Sequence, residues 1–71
     1  SLAPGRVDFH LTLGIILLEK GQPDDAIREA VTALKGQGNF SLAYALLAKA
    51  YEMKHNKSVS RHFKRIAQHA N

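Results

Sequence analysis

A pattern that recurs after 34 residues constrains the fold of this chain more than any other feature of its sequence. The two copies are His10-x-x-Leu13-Gly14-x-x-Leu17 and Tyr44-x-x-Leu47-Ala48-x-x-Tyr51. A step of this length is typical of a helix–turn–helix unit that stacks on its neighbour. The pattern therefore favours a stacked-helix binding surface over a catalytic architecture.

Helix-ending and helix-starting residues divide the chain into four helical segments. Gly21 and Gly36 are residues that end helices, and Pro23 suits a first helical position because an N–H group there has no partner. The predicted segments are Val7–Lys20, Pro23 up to Gly36, Ser41–Lys54 and Lys57–His69. No stretch alternates with period two, and short turns imply antiparallel neighbours. The sequence predicts an all-α fold of two stacked antiparallel helix–turn–helix repeats, a fragment of an α-solenoid.

The chain resembles the tetratricopeptide repeat family over about residues 7–70. The positions that carry the resemblance are His10, Leu13, Gly14, Leu17, Gly21, Ala26, Ala30 and Ala33, followed by Tyr44, Leu47, Ala48 and Tyr51. Gly38 departs from the family pattern because it stands where proline is usual. We interpret residues 1–6 as an N-terminal linker or disordered segment, 7–40 as the first repeat, and 41–71 as the second repeat with a capping outer helix.

The last helix does not follow the 34-residue step in its apolar pattern. A strict step would place the polar residue Ser60 opposite Ala26. A step of 33 residues matches Val59 with Ala26, Phe63 with Ala30, and Ile66 with Ala33. We therefore predict that the second turn, around His55 and Asn56, is one residue shorter than the first.

The two ends of the predicted stack differ in polarity. Phe9 and Ile16 are large apolar residues, and they point toward whatever precedes the first helix. At the other end, the outward face of the last helix is mostly polar, with Ser60, Lys64 and Ala67, as a terminal repeat requires. Because nothing in the chain is left to cover the outer face of the first helix, we expect either the C-terminal piece of a longer repeat protein or a homodimer formed through the first helix. The start at Ser1 rather than Met also favours a piece of something longer.

The resemblance implies that the first helix of each repeat lines a concave groove that binds peptides. On this groove we place Leu11, Ile15, Leu18, Ala45, Leu46, Lys49 and Met53. Some members of the family hold a partner's terminal carboxylates with Lys and Asn, and that clamp is absent here. A mainly apolar groove favours an amphipathic helix or hydrophobic segment as partner. The alternative is that these residues pack against a dimer mate or an upstream segment.

A basic stretch near the C-terminus raises the possibility of an anionic partner. Its members are Lys57, Arg61, Lys64 and Arg65, and residues 54–71 contain no Asp or Glu. We prefer the interpretation of a solvated helix face. Nucleic-acid binding is disfavoured because no aromatic residue accompanies these cations, Phe63 belonging to the buried stripe.

No pattern of a catalytic or metal site is present in the sequence. Only His62 and His69 share a predicted helix, and about two turns separate them, too far to share one ion. We therefore expect no catalytic residues, no metal and no cofactor. Without cysteine, disulfides are excluded, and either cytoplasm or periplasm is possible, with cytoplasm slightly favoured.

These observations predict a noncatalytic scaffold for protein–protein association. No apolar run reaches the ~18 residues of a membrane span. Two other interpretations stay open, an accessory C-terminal tail of a larger enzyme and a binder of nucleic acid or an anionic surface.

Overall fold

The computed structural model describes residues 2–36 and 40–69, and their side chains from Phe9 onward. Within these ranges the chain forms four α-helices and no strand: α1 (Leu2–Glu19), α2 (Pro23–Leu34), α3 (Phe40–Met53) and α4 (Lys57–His69). Each helix packs against the next one along the chain, and α1 also touches α3. The predicted all-α fold of two helical hairpins is confirmed. Gly38 and residues 70–71 lie outside the described ranges.

Helix α1 begins earlier in the chain than the sequence pattern predicts. It starts at Leu2 instead of Val7, so residues 2–6 are helical and not a linker. Pro4 is compatible with this because the N–H groups of a first helical turn have no acceptor within the helix. The proline therefore does not mark a boundary.

The turn between α1 and α2 closes with two backbone hydrogen bonds. Gly21 N–H donates to Leu18 O at 3.0 Å, and Gln22 N–H donates to Leu17 O at 2.9 Å. This pair of bonds is a Schellman motif, which requires a residue in the left-handed conformation. Gly21 supplies that conformation with φ 75°, which glycine adopts without steric strain.

The turn between α3 and α4 repeats this geometry bond for bond. His55 N–H donates to Glu52 O at 3.0 Å, and Asn56 N–H donates to Tyr51 O at 2.9 Å. His55 takes the left-handed position with φ 64°. Each of these residues lies 34 positions after its counterpart in the first turn. The prediction of a shorter second turn is therefore wrong.

Ser60, and not Val59, occupies the position in α4 that Ala26 occupies in α2. Ser60 is only 4% exposed, and its hydroxyl donates to Ala48 O at 2.7 Å. Both the 33-residue step and the predicted outward position of Ser60 are thus wrong. The physical reason is that serine is nearly as small as alanine, and a helix carbonyl satisfies its hydroxyl, so a polar residue fits at a close helix contact.

The core is built from small residues that let the helices approach closely. One cluster contains Leu11, Ala33 and Ala43, and a second contains Ala30, Leu46 and Leu47. A side chain at Gly14 would overlap Leu46. The missing side chain at Gly14 therefore allows α3 to lie against α1.

Within each hairpin, a different type of contact joins the two helices at equivalent positions. In the first, His10 Nδ1 lies 2.6 Å from Glu29 Oε1. The equivalent residues 34 positions later are Tyr44 and Phe63, whose rings stack at a centroid distance of 6.0 Å. Tyr51 stacks on the other side of Phe63 at 5.8 Å. A polar pair in one hairpin is thus replaced by an aromatic cluster in the other.

Candidate functional site

Two residues predicted to line the open groove are instead part of the core. Leu11 is 2% exposed and Leu46 is 4% exposed, so neither contributes to an open surface. Leu46 is buried because it fills the space beside Gly14, and Leu11 because it packs with Ala33 and Ala43. The prediction of groove positions for Leu11 and Leu46 is therefore wrong.

The remaining predicted groove residues are more accessible than Leu11 and Leu46. Leu18 is half-buried against the cluster around Ala30. Ile15 and Met53 are exposed large hydrophobic residues, and Ala45 and Lys49 are exposed as well. Ala45 and Lys49 border a common depression. The exposed part of the predicted groove therefore consists of Ile15, Ala45, Lys49 and Met53.

The outward side of α1 carries Phe9, the most exposed large apolar side chain in the described part of the chain, together with Ile16. Phe9 is 63% exposed and Ile16 is 42% exposed. The equivalent residues in the second repeat, Ala43 and Ala50, are completely buried. We call the surface formed by Phe9, Thr12 and Ile16 the α1 face. In the second repeat, the helices of the first repeat cover the equivalent surface.

A cleft of about 330 Å³ lies between α3 and α4. Its lining residues are Ala45, Ala48, Lys49, Glu52, Lys64, Ala67 and Gln68, and we call it the α3–α4 cleft. The Ser41 hydroxyl donates to Ala67 O at 2.8 Å and joins the start of α3 to the end of α4. The cleft thus combines small alanines with long polar side chains on its walls.

Every residue of the α3–α4 cleft has an equivalent in the first repeat, 34 positions earlier. Those equivalents are Leu11, Gly14, Ile15, Leu18, Ala30, Ala33 and Leu34. In the first repeat this space holds α3, because Ala43 packs with Leu11 and Leu46 packs with Ala30. Sequence reasoning missed this cleft, although an unbroken 34-residue step through α4 would have indicated it.

The basic residues of α4 lie along one face of the helix and border two depressions. Lys57, Arg61 and Lys64 line a depression of about 180 Å³ together with Glu52. Arg65 borders a different depression, which it shares with His62, Ile66 and His69. Their spacing of four, seven and eight residues from Lys57 places all four cations on the same side of α4.

An ion pair joins the hairpins near the second turn. Lys54 Nζ donates to Asp24 Oδ1 and connects the end of α3 with the start of α2. The equivalent of Lys54 in the first repeat is Lys20, and the equivalent of Asp24 in the second repeat is Ser58. The lysine thus recurs in both repeats, whereas the acid does not.

Among the side chains that the structure describes, no three His, Asp or Glu residues come together in a way that could hold a metal ion. His62 and His69 line the same depression, with Arg65 and Ile66 as its other residues. Nor is any described helix long and apolar enough to cross a membrane.

Comparisons with known proteins provide no further guide to function. No protein-family model, no curated protein and no solved structure matches this chain. Its function is therefore inferred from the α1 face, the α3–α4 cleft and the charges around them.

Proposed function

We propose that this chain is a noncatalytic helical-repeat module that associates with other protein chains, as its resemblance to tetratricopeptide repeats implies. One observation carries the proposal, namely the exposure of Phe9 and Ile16 at positions where the second repeat has buried alanines. A large apolar side chain gains about 1.5–3 kcal/mol on burial. The two side chains lie on the same side of α1, about two turns apart, and exposed apolar surface of this kind marks protein interfaces.

Site-specific photo-crosslinking in the cells that make this protein tests the proposal directly. A benzophenone side chain replaces Phe9 in one variant, and it replaces the exposed Arg28 on α2 in a matched control. We expect covalent adducts with protein from position 9 and not from position 28. If neither position gives an adduct with protein, the proposed function is wrong.

A second candidate function is the binding of a polyanion through α4. The observation that favours it is the absence of any acidic residue in α4, which contains Lys57, Arg61 and Lys64 on one side. Cations that contact phosphates release counterions, so the affinity falls steeply with salt.

Fluorescence anisotropy with a short labelled DNA duplex, measured over a series of NaCl concentrations, tests this second candidate. We expect Lys57→Glu with Arg61→Glu to weaken binding and to flatten the salt dependence. Arg28→Glu with Lys35→Glu is the matched control, because it reverses two exposed charges at α2, a helix that does not contact α4. Equal loss from both variants would indicate nonspecific attraction, and a flat salt dependence in the unmodified chain would exclude phosphate contacts.

A further inference from the structure

We propose that copies of this chain stack head to tail, with the α1 face of one copy seated in the α3–α4 cleft of the next. This inference deepens the proposed function and rests on it, because it names a second copy of the chain as the partner. It also assigns the surface that receives the α1 face. Three comparisons between equivalent positions carry it.

The first comparison concerns position in the repeat. Within the chain, α3 occupies the space between α1 and α2 and covers Leu11, Ala30 and Ala33. Helix α1 is the equivalent of α3, and the α3–α4 cleft is the equivalent of that space. A second copy that places its α1 in the cleft therefore continues the stack with the geometry already present between the two repeats.

The second comparison concerns the sizes of facing residues. Inside the chain, the large Leu11 packs with the small Ala43. At the proposed joint the equivalent pair is Ala45 in the cleft and Phe9 on the incoming helix. The large and small members have exchanged sides, which preserves the volume between the helices.

The third comparison is a similar exchange at the closest helix contact. Inside the chain, Gly14 lacks a side chain where Leu46 fills the space. The equivalent pair at the joint is Ala48, which adds a methyl group, and Thr12, which is shorter than leucine. Two independent positions thus change together in the direction that allows α1 to fit the cleft.

The proposed joint lacks one ion pair that the internal joint contains. The internal joint contains the ion pair between Lys54 and Asp24. At the proposed joint Lys20 replaces Lys54, but Ser58 replaces Asp24, so the ion pair is lost. Most of the exposed surface of the cleft is apolar, and long side chains such as Lys49 and Lys64 can cover an apolar partner with their aliphatic parts.

Head-to-tail contacts use two different surfaces, so assembly does not close after two copies and grows with concentration. Sedimentation velocity over a concentration series measures this. Phe9→Glu alters the α1 face and is the head variant, and Ala45→Glu alters the α3–α4 cleft and is the tail variant. Both positions are exposed in the single chain, and circular dichroism checks that each variant remains helical. Arg28→Glu, outside both surfaces, is the control.

We expect the unmodified chain and the control to form oligomers of increasing size, and each variant alone to be monomeric. An equimolar mixture of the two variants should form a dimer and nothing larger, because only one intact head and one intact tail can meet. A tail variant that still dimerises would indicate pairing of α1 with α1 and overturn the proposal. A monomeric unmodified chain would also overturn it, whereas crosslinks from position 9 to a different protein would leave the proposed function intact.

A variant that should associate more tightly provides a second test of the register, that is, of which residues face each other at the joint. Ser58→Asp restores the acid that Lys20 of the next copy would meet, and an exposed ion pair of this kind should tighten association about two- to five-fold. Lys20→Glu in the same chain should remove the gain. No tightening, or tightening that persists with Lys20→Glu, would contradict the proposed register.

Discussion

His55 holds the left-handed position in the second turn, where the first turn has Gly21. A side chain in this conformation meets the following carbonyl oxygen and costs about 1 kcal/mol or more. The Schellman hydrogen bonds of Asn56 and His55 keep the residue there despite this cost. The turn therefore contains local strain that its histidine does not relieve.

We predict that His55→Gly increases the free energy of unfolding by about 1 kcal/mol, because glycine adopts positive φ without steric conflict. Urea unfolding followed by circular dichroism measures the change. The matched control is Gly21→His, which should decrease stability by a similar amount, since no atom lies within 4 Å of an added Cβ there and only the backbone is affected. A destabilised His55→Gly variant would show that the imidazole makes a contact whose loss costs more free energy than the relief of backbone strain provides.

Gly14 is the residue at the closest contact between α1 and α3. We predict that Gly14→Ala lowers the free energy of unfolding by about 1–2 kcal/mol, although alanine is the better helix former. The added methyl group would overlap Leu46, which is buried and has little room to move. Urea unfolding checks this, and Leu46→Ala in the same chain should give a loss smaller than the sum of the two single losses. Stabilisation by Gly14→Ala would contradict the close contact.

At the scale of the helices, each hairpin depends on a different contact between its members. The aromatic cluster of Tyr44, Phe63 and Tyr51 joins α3 to α4. The polar pair of His10 and Glu29 joins α1 to α2. Apolar area removed from water generally contributes more than a partly exposed polar pair.

We predict that Phe63→Ala lowers the free energy of unfolding by about 2–3 kcal/mol, less than for a fully buried ring because Phe63 is partly exposed. The equivalent change in the other hairpin, Glu29→Ala, should lower it by about 1 kcal/mol. Urea unfolding of the two variants under the same conditions gives the comparison. Equal losses would mean that the aromatic cluster adds nothing beyond a polar pair.

At the scale of the whole molecule, a chain of 71 residues buries little apolar surface, so its intrinsic stability is small. The α1 face leaves further apolar area in water, and association through this face links stability to protein concentration. Exposure of Phe9 is thus both a weakness of the single chain and the basis of the proposed stack.

We predict that the Tm of the unmodified chain rises with protein concentration, whereas the Tm of Phe9→Glu does not. The reason is that oligomers bind only folded chains and shift the unfolding equilibrium by mass action. Differential scanning calorimetry at several concentrations measures this. A Tm of the unmodified chain that is independent of concentration would be inconsistent with stacking.

The sequence by itself determined the helices and their pairing, because glycine, proline and apolar spacing act locally along the chain. It also indicated that Phe9 and Ile16 lie on an open face, which follows from comparison with Ala43 and Ala50. The start of α1 was missed, since a proline in a first turn does not interrupt a helix.

Only the tertiary structure decided which apolar residues are core and where the second repeat continues the first. Hydrophobic periodicity identifies an apolar side of a helix, but it does not show how closely two helices approach. Because Gly14 has no side chain, α3 can lie close to α1, and Leu46 is buried at this contact. Likewise, the carbonyl of Ala48 satisfies the hydroxyl of Ser60, so a polar residue replaces alanine at a helix contact. Distance and hydrogen-bond satisfaction are properties of packed pairs, so periodicity along a single chain segment does not reveal them.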